Sequence, residues 1–303
     1  MRAAVLKATG GPEQLVVEEV PEPDAAPGEG LLDVRAVGVN FADVLVRLGR
    51  YPQMPELPTV LGAEIAGEID GARVMGFGSG GYAERALVDE TWVLPLPEGA
   101  SFAEGAAFQT AFLTAWIPLT ELVRIAFGSR VLVTAAAGAT GTAALQVVRT
   151  LNGHAIAAVG SSEKLELVRG LGAVEAVTYD ELEGLEPVDA VFDLVGGKIF
   201  ARTLTLLRPL GTAVAVGYAG GPWEEVSPTW LVGRNIGVHG FYLGRLMKIR
   251  PDLVQRAAGD VLRLWEGGAV RPIVGHELRL EEAGEAHRMI EARQTTGKVV
   301  LVP

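Results

Sequence analysis

Along the first hundred residues, apolar positions come in short runs at 3–7, 15–20 and 30–39, separated by Gly and Pro clusters such as GGP at 10–12, PEP at 21–23 and PG at 27–28. Runs of this length with turn residues between them are the spacing of strands in a small sheet or barrel. Residues 40–48 interrupt with helical spacing, and 64–69, 73–76, 82–88 and 92–95 read as further strands. From residue 101 the texture changes. SFAE at 101–104 is a capping box that opens a helix. Strands are then expected at 130–135, 155–159, 173–177, 190–194, 211–216 and 236–241, with helices at 141–150 and 163–169. On the first of these helices Ala143, Ala144, Val147 and Val148 share one face. Strands alternating with helices predict a Rossmann-type, doubly wound parallel sheet. A long amphipathic helix is expected at 251–265, and after Gly267 and Gly268 the chain returns to short elements and ends on a strand at 298–302. The fold class is therefore α/β, and 303 residues exceed the roughly 250–300 at which single cores stop growing. The expected domains are a mainly β domain of 1–112 with 267–303, and a nucleotide-binding domain of 113–266.

Composition narrows the chemistry. Hydrophobic residues make up 49% of the chain, as in a compact enzyme with a large core. The net charge of −11 repels nucleic acid and anionic lipid at long range, so neither is an expected partner. There is no cysteine, which removes disulfides and every thiolate zinc site. The four histidines, at 154, 239, 276 and 287, form no HxxxH or HExxH cluster, so no metal is expected. The apolar stretch at 131–137 falls far short of the about 20 residues that span a bilayer. The start of the chain moves straight into strand-like alternation without a signal-type apolar core, so a cytoplasmic location is expected.

The most informative stretch is VLVTAAAGATG at 131–141, which reads as strand, turn and helix. Such a turn brings backbone N–H groups to a pyrophosphate, whose charge the helix N-terminus stabilises. Ala136 stands where the usual GxGxxG has its first glycine. Gly138 is expected to allow close backbone approach, with a backbone conformation that disfavours a side chain, and Gly141 to let the helix pack on the strand. The second strand runs into GSSEK at 160–164. Sites specific for NAD place an acidic residue there for the ribose 2′-hydroxyl. Ser161, Ser162 and Lys164 suit a 2′-phosphate instead, which points to NADPH. Glu163 would oppose that reading if it turned inward.

Taken together, GVNFAD at 38–43, GRYP at 49–52, LGAEIAG at 61–67, LTAW at 113–116, the phosphate turn, FDLVGG at 192–197, GVHGFYL at 237–243 and TGKVVLV at 296–302 resemble the medium-chain dehydrogenase/reductase superfamily. The resemblance runs over essentially the whole chain and is to the zinc-free quinone oxidoreductases related to zeta-crystallin. It implies a GroES-like catalytic domain for the mainly β part. It also implies Asn40 and Tyr51 near the nicotinamide and substrate, and Thr114 approaching the nicotinamide from the other domain. Ala136, Ala137, Gly138, Ala139, Thr140 and Gly141 would hold the pyrophosphate. Ser161, Lys164 and Tyr179 would take the adenosine phosphate end, and Gly217, Phe241 and Tyr242 the nicotinamide side. Two departures stand out. Asn40 replaces the Cys of zinc-dependent relatives, and Leu45 stands where several quinone reductases carry a Tyr, which suggests a more apolar cleft.

With no metal and no evident nucleophile, the chemistry falls to the cofactor. The expected function is NADPH-dependent reduction of quinones or small enones by hydride transfer in the interdomain cleft, with Asn40 or Tyr51 supplying a hydrogen bond to developing oxyanion charge. The alternatives are a zinc-free enoyl-thioester reductase, or a non-catalytic nucleotide-binding protein of the crystallin or RNA-binding kind. The edge strand at 236–241 is apolar enough to need cover, which predicts a homodimer.

Overall fold

The computed structural model describes residues 1–303 and divides the chain into two compact units, Met1–Gln109 with Pro272–Pro303, and Thr110–Arg271.

In the first unit a seven-stranded sheet runs Val274–Arg279, Lys298–Val302, Glu29–Val39, Glu64–Ile69, Ala72–Ser79 and Arg85–Asp89, with Leu94–Pro95 pairing off Ala72–Ser79. The long strand Glu29–Val39 uses its two halves differently. Its first half pairs with Arg85–Asp89, and from Asp33 onward it pairs with Glu64–Ile69, so the sheet closes on itself. A three-stranded sheet of Leu15–Glu19, Arg2–Leu6 and Thr59–Val60 covers it. The core gathers Leu32, Val37, Ile65, Tyr82, Val88, Leu280, Val299 and Leu301. The strand expected at 82–88 begins only at Arg85. Tyr82 is instead held by backbone bonds from Ala4 and to Leu61, which drop its ring into the core.

The second unit is a six-stranded parallel sheet in the spatial order Glu175–Thr178, His154–Val159, Arg130–Val133, Val188–Asp193, Leu207–Ala215, Gly237–Gly240. Numbered along the chain this is 3-2-1-4-5-6, the order that places a topological switch point between the first and fourth strands. Gly237–Gly240 lies at the sheet edge. Burial of the central strands explains their composition: Val131, Leu132 and Val133 are fully buried, as are Val191 and Phe192. Four helices escape the sequence pattern: Gly197–Thr205, Pro228–Arg234, Leu243–Ile249 and Ala283–Glu291. The last buries only Ala283, Ala286 and His287, so its core-facing stripe has the right spacing and almost no hydrophobic signal.

Candidate active site

The phosphate turn lies at the carboxyl end of Arg130–Val133, next to the switch point. The helix Ala139–Thr150 starts two residues before the expected position, with Gly138 as its cap. Ala139, Thr140 and Gly141 form its first turn, so their N–H groups have no acceptor within the helix. With the helix dipole they make a site for an anion.

The two glycines are set differently, and the backbone conformation expected at Gly138 is not found. Gly138 has φ −78° and ψ 173°, a conformation open to any residue, and a Cβ there would meet only the Ala135 carbonyl at 3.4 Å. Its lack of a side chain leaves room beside the turn and does not serve the backbone. The left-handed residue is Ala135, at φ 45°. Gly141 is the crowded position: a Cβ there would overlap the Ala135 carbonyl oxygen and come within 2.7 Å of the Ala136 Cα. Helix and turn touch through this glycine. Ala136 and Ala137 are buried beneath the turn.

The strained turn is tied to its surroundings. The Ala135 N–H donates to the Tyr179 hydroxyl at 2.9 Å, and the Ala136 N–H to the Ala158 carbonyl at 3.2 Å. The Tyr179 ring also lies beside Gly160 at the end of the second strand. Tyr179 thereby joins the turn to the stretch that carries Ser161 and Lys164. Glu163 is exposed, while Ser161 and Lys164 are half-buried. Burial lowers the Lys164 pKa, with Glu163 acting in the opposite direction.

Across the switch point, Asp193 is fully buried at the end of its strand. It accepts from the Thr134 hydroxyl at 2.9 Å, the Gly196 N–H at 2.9 Å and the Trp223 indole at 3.4 Å. Thr134 accepts in turn from the Leu194 N–H at 2.8 Å, which clamps the first strand end to the fourth. Burial raises the Asp193 pKa against these bonds. Gly217 donates its N–H to the Asp193 carbonyl, and Phe241 donates to the Ala215 carbonyl. Phe241 and Tyr242 line an apolar cavity of about 680 Å³ with Trp223, Val238 and Leu246. Thr114 is buried in the helix Gln109–Ile117.

In the first unit, Asn40 caps the helix Phe41–Arg47. Its backbone N–H donates to Asp43 at 2.8 Å, and its side chain lies against the ion pair of Lys298 and Glu64, each 1% exposed and 2.5 Å apart. Behind Asp43 runs a buried chain. The Tyr82 hydroxyl donates to Asp43 at 3.3 Å and contacts His287 Nε2 at 3.1 Å, while Arg47 Nε donates to His287 Nδ1 at 3.2 Å and pairs with Glu291. Because Arg47 donates to Nδ1, the neutral ring carries its proton on Nε2 and donates to Tyr82. Burial pushes the Asp43 pKa up to about 6 and the His287 pKa down to about 3, the latter helped by Arg47. Tyr51 is half-buried against the core, and Leu45 is 8% exposed.

The structure thus gathers Ala136–Gly141, Tyr179 and the Ser161–Lys164 stretch around one strand end, with Gly217 and Phe241 at the ends of neighbouring strands. Asn40 and Tyr51 belong to the first unit and Thr114 to the second. Sequence reasoning missed Asp193, Glu64, Lys298 and the chain from Asp43 to Arg47. The available signal was charge within apolar strands, above all Lys298 in KVVLV in a chain with five lysines. No group of three or more His, Asp or Glu side chains is arranged to hold a metal ion, and no helix is long and apolar enough to cross a membrane.

Comparison with known proteins agrees with this architecture. Residues 26–98 match the alcohol dehydrogenase GroES-like domain, and residues 171–301 match the zinc-binding dehydrogenase family. The chain is 35% identical to quinone oxidoreductase-like protein 2 of Bos taurus, over 95% of this chain and 88% of that protein. It is 33% identical to the synaptic vesicle membrane protein VAT-1 homolog of Rattus norvegicus, over 100% of this chain and 84% of that one. Among solved structures it is similar to the quinone oxidoreductase of Thermus thermophilus, studied alone and with NADPH. That pair has 41% identity and a TM-score of 0.92 over the full length of both chains. The Escherichia coli quinone oxidoreductase complexed with NADPH is 27% identical, with a TM-score of 0.91, again over both full lengths.

Proposed function

The chain belongs to the quinone oxidoreductase-like proteins of the medium-chain dehydrogenase/reductase superfamily, and on that premise we propose that it is an NADPH-dependent, zinc-independent reductase of quinones or related small enones. The observation that carries the reading is the turn at 135–141. It presents the N–H groups of a helix start beside Gly138, where a side chain is missing and space is open. Those features fit a pyrophosphate. Ser161 and Lys164, with no inward carboxylate beside them, fit a 2′-phosphate better than a bare ribose.

NADPH, when bound, supplies the hydride. The protein binds and orients. The first turn of Ala139–Thr150 neutralises phosphate charge, and the Tyr179 hydroxyl holds the Ala135 N–H so that the turn keeps its shape. Gly217, Phe241, Tyr242 and Thr114 form the nicotinamide side. Asn40 donates an N–H to the acceptor oxygen as negative charge develops there, with Tyr51 flanking it. The same reading includes a homodimer built on Gly237–Gly240, an edge strand with exposed His239 and Gly240 and unpaired backbone groups. It also includes a cytoplasmic site of action, which suits a chain without cysteine.

The experiment is NADPH oxidation followed at 340 nm with 1,4-benzoquinone, 1,4-naphthoquinone, a small enone and an enoyl thioester. Turnover of the quinones or enone above the thioester is the expected result. Preference for the thioester overturns the substrate class. NADPH binding without any turnover overturns the enzymatic reading.

A further inference from the structure

Three adjacent strands of the first unit explain an unusual contact. Lys298–Val302 and Glu64–Ile69 flank the central strand Glu29–Val39, with Val300 and Glu64 both in register with Gly38. Side chains on the two flanking strands would ordinarily be kept apart by the residue between them. Here that residue is a glycine. A Cβ on Gly38 would overlap the Ala106 carbonyl oxygen, and would also lie 2.5 Å from the Lys298 Cε and 3.2 Å from the Glu64 carboxylate. The missing side chain therefore lets Lys298 and Glu64 meet across the strand at 2.5 Å, both buried.

Asn40 completes a closed triangle with them. Lys298 Nζ donates to Asn40 Oδ1 at 2.8 Å, and Asn40 Nδ2 donates to Glu64 at 3.2 Å. Turning the amide over would set its N–H groups against an ammonium and its oxygen against a carboxylate, so the pair dictates its orientation. Lys298 holds the oxygen side of the amide. The second Nδ2 hydrogen has only a long contact, to the Gly38 carbonyl at 3.5 Å, at the limit of a useful bond. The donor that Asn40 can still offer a ligand is thus this N–H. An N–H is the group that stabilises negative charge growing on an acceptor oxygen. Stability alone gives no reason for the arrangement, because buried ion pairs are often no better than apolar residues of the same size.

We propose that Lys298 is a positioning residue for the reduction, fixing the Asn40 carboxamide through the ion pair it makes with Glu64 across Gly38. The inference rests on the reading that Asn40 donates to the acceptor.

Changing Lys298 alone would strand a buried carboxylate, so the pair is neutralised together as Lys298→Met/Glu64→Gln. Lys298→Gln/Glu64→Gln, which keeps hydrogen bonding across Gly38, guards against misfolding of the first. Each is combined with Asn40→Ala, and kcat with 1,4-naphthoquinone, NADPH Kd and thermal unfolding are measured on all. Expected is at least a tenfold fall in kcat for a folded neutral pair, with NADPH Kd within twofold. The same pair should change kcat less than twofold once Asn40 is alanine. Equal losses in both backgrounds, or no loss in a pair whose Asn40→Ala variant is slow, overturn the role of Lys298 while the Asn40 reading stands. Wild-type kcat in Asn40→Ala overturns the Asn40 reading, and the inference with it.

Discussion

The two glycines of the phosphate turn should fail in opposite ways. At Gly138 the backbone tolerates a side chain, and a Cβ has one neighbour, the Ala135 carbonyl at 3.4 Å. Gly138→Val should therefore cost the fold no more than the exchange of a glycine cap for a poor one, about 1 kcal/mol. The branched side chain would fill the space assigned to the pyrophosphate. Losing one or two charge-assisted hydrogen bonds, at about 1.5–3 kcal/mol each, weakens NADPH binding by roughly tenfold to twenty thousandfold. At Gly141 the situation is reversed. A methyl group would overlap the Ala135 carbonyl and stand 2.7 Å from the Ala136 Cα, both backbone atoms that cannot rotate away. Gly141→Ala must push the helix off the strand end, an overpacking cost of about 1–3 kcal/mol. For a domain of this size that lowers the melting temperature by roughly 2–4 °C per kcal/mol. Differential scanning calorimetry and NADPH fluorescence titration on both variants separate the two effects. Unchanged NADPH affinity in a folded Gly138→Val protein would refute the placement of the cofactor. An unperturbed melting curve for Gly141→Ala would refute the packing argument.

Three further outcomes are expected. NADPH should bind at least about tenfold more tightly than NADH, a difference of about 1.4 kcal/mol, and Lys164→Ala should erase most of that gap; equal dissociation constants in the wild type would remove the 2′-phosphate assignment. Burial raises the Asp43 pKa from 3.8 to about 6, so its contribution to stability is complete below about pH 4 and is lost as the pH rises to about 6. His287, lowered from 6.5 to about 3, contributes fully above pH 6.5 and loses this as the pH falls towards 3. The two slopes oppose each other between about pH 4 and 6. Asp43→Asn removes one of them, so urea unfolding should show the variant gaining about 3 kcal/mol on the wild type across that window, and parallel curves would contradict the burial of a titrating carboxyl. Light scattering at micromolar concentration should give twice the 31.9 kDa chain mass, and a monomer would dispose of the edge-strand dimer.

Much of the second unit was determined locally. A central parallel strand is buried on both faces, so VLV at 131–133 is continuously apolar, and the turn residues that follow mark the candidate phosphate site without reference to distant parts of the chain. The alternation of strands and helices, and the absence of an acidic residue at the very end of the second strand, are equally legible, because period and residue type are properties of short segments. What the turn residues do individually was not. Only packing shows that Gly141 is the crowded glycine, that Gly138 stands in open space and that Ala135 takes the left-handed conformation, held by Tyr179 from 44 positions away. The first unit depends more heavily on tertiary structure. A strand pattern records which residues face the core, and it carries no information about which strands are neighbours. The triangle of Asn40, Glu64 and Lys298 exists because the sheet sets three distant segments side by side, 258 positions separating Asn40 from Lys298. In the sequence Lys298 is one charge in an apolar strand. Its partner, its burial and its hold on Asn40 follow from strand order and from the missing side chain at Gly38.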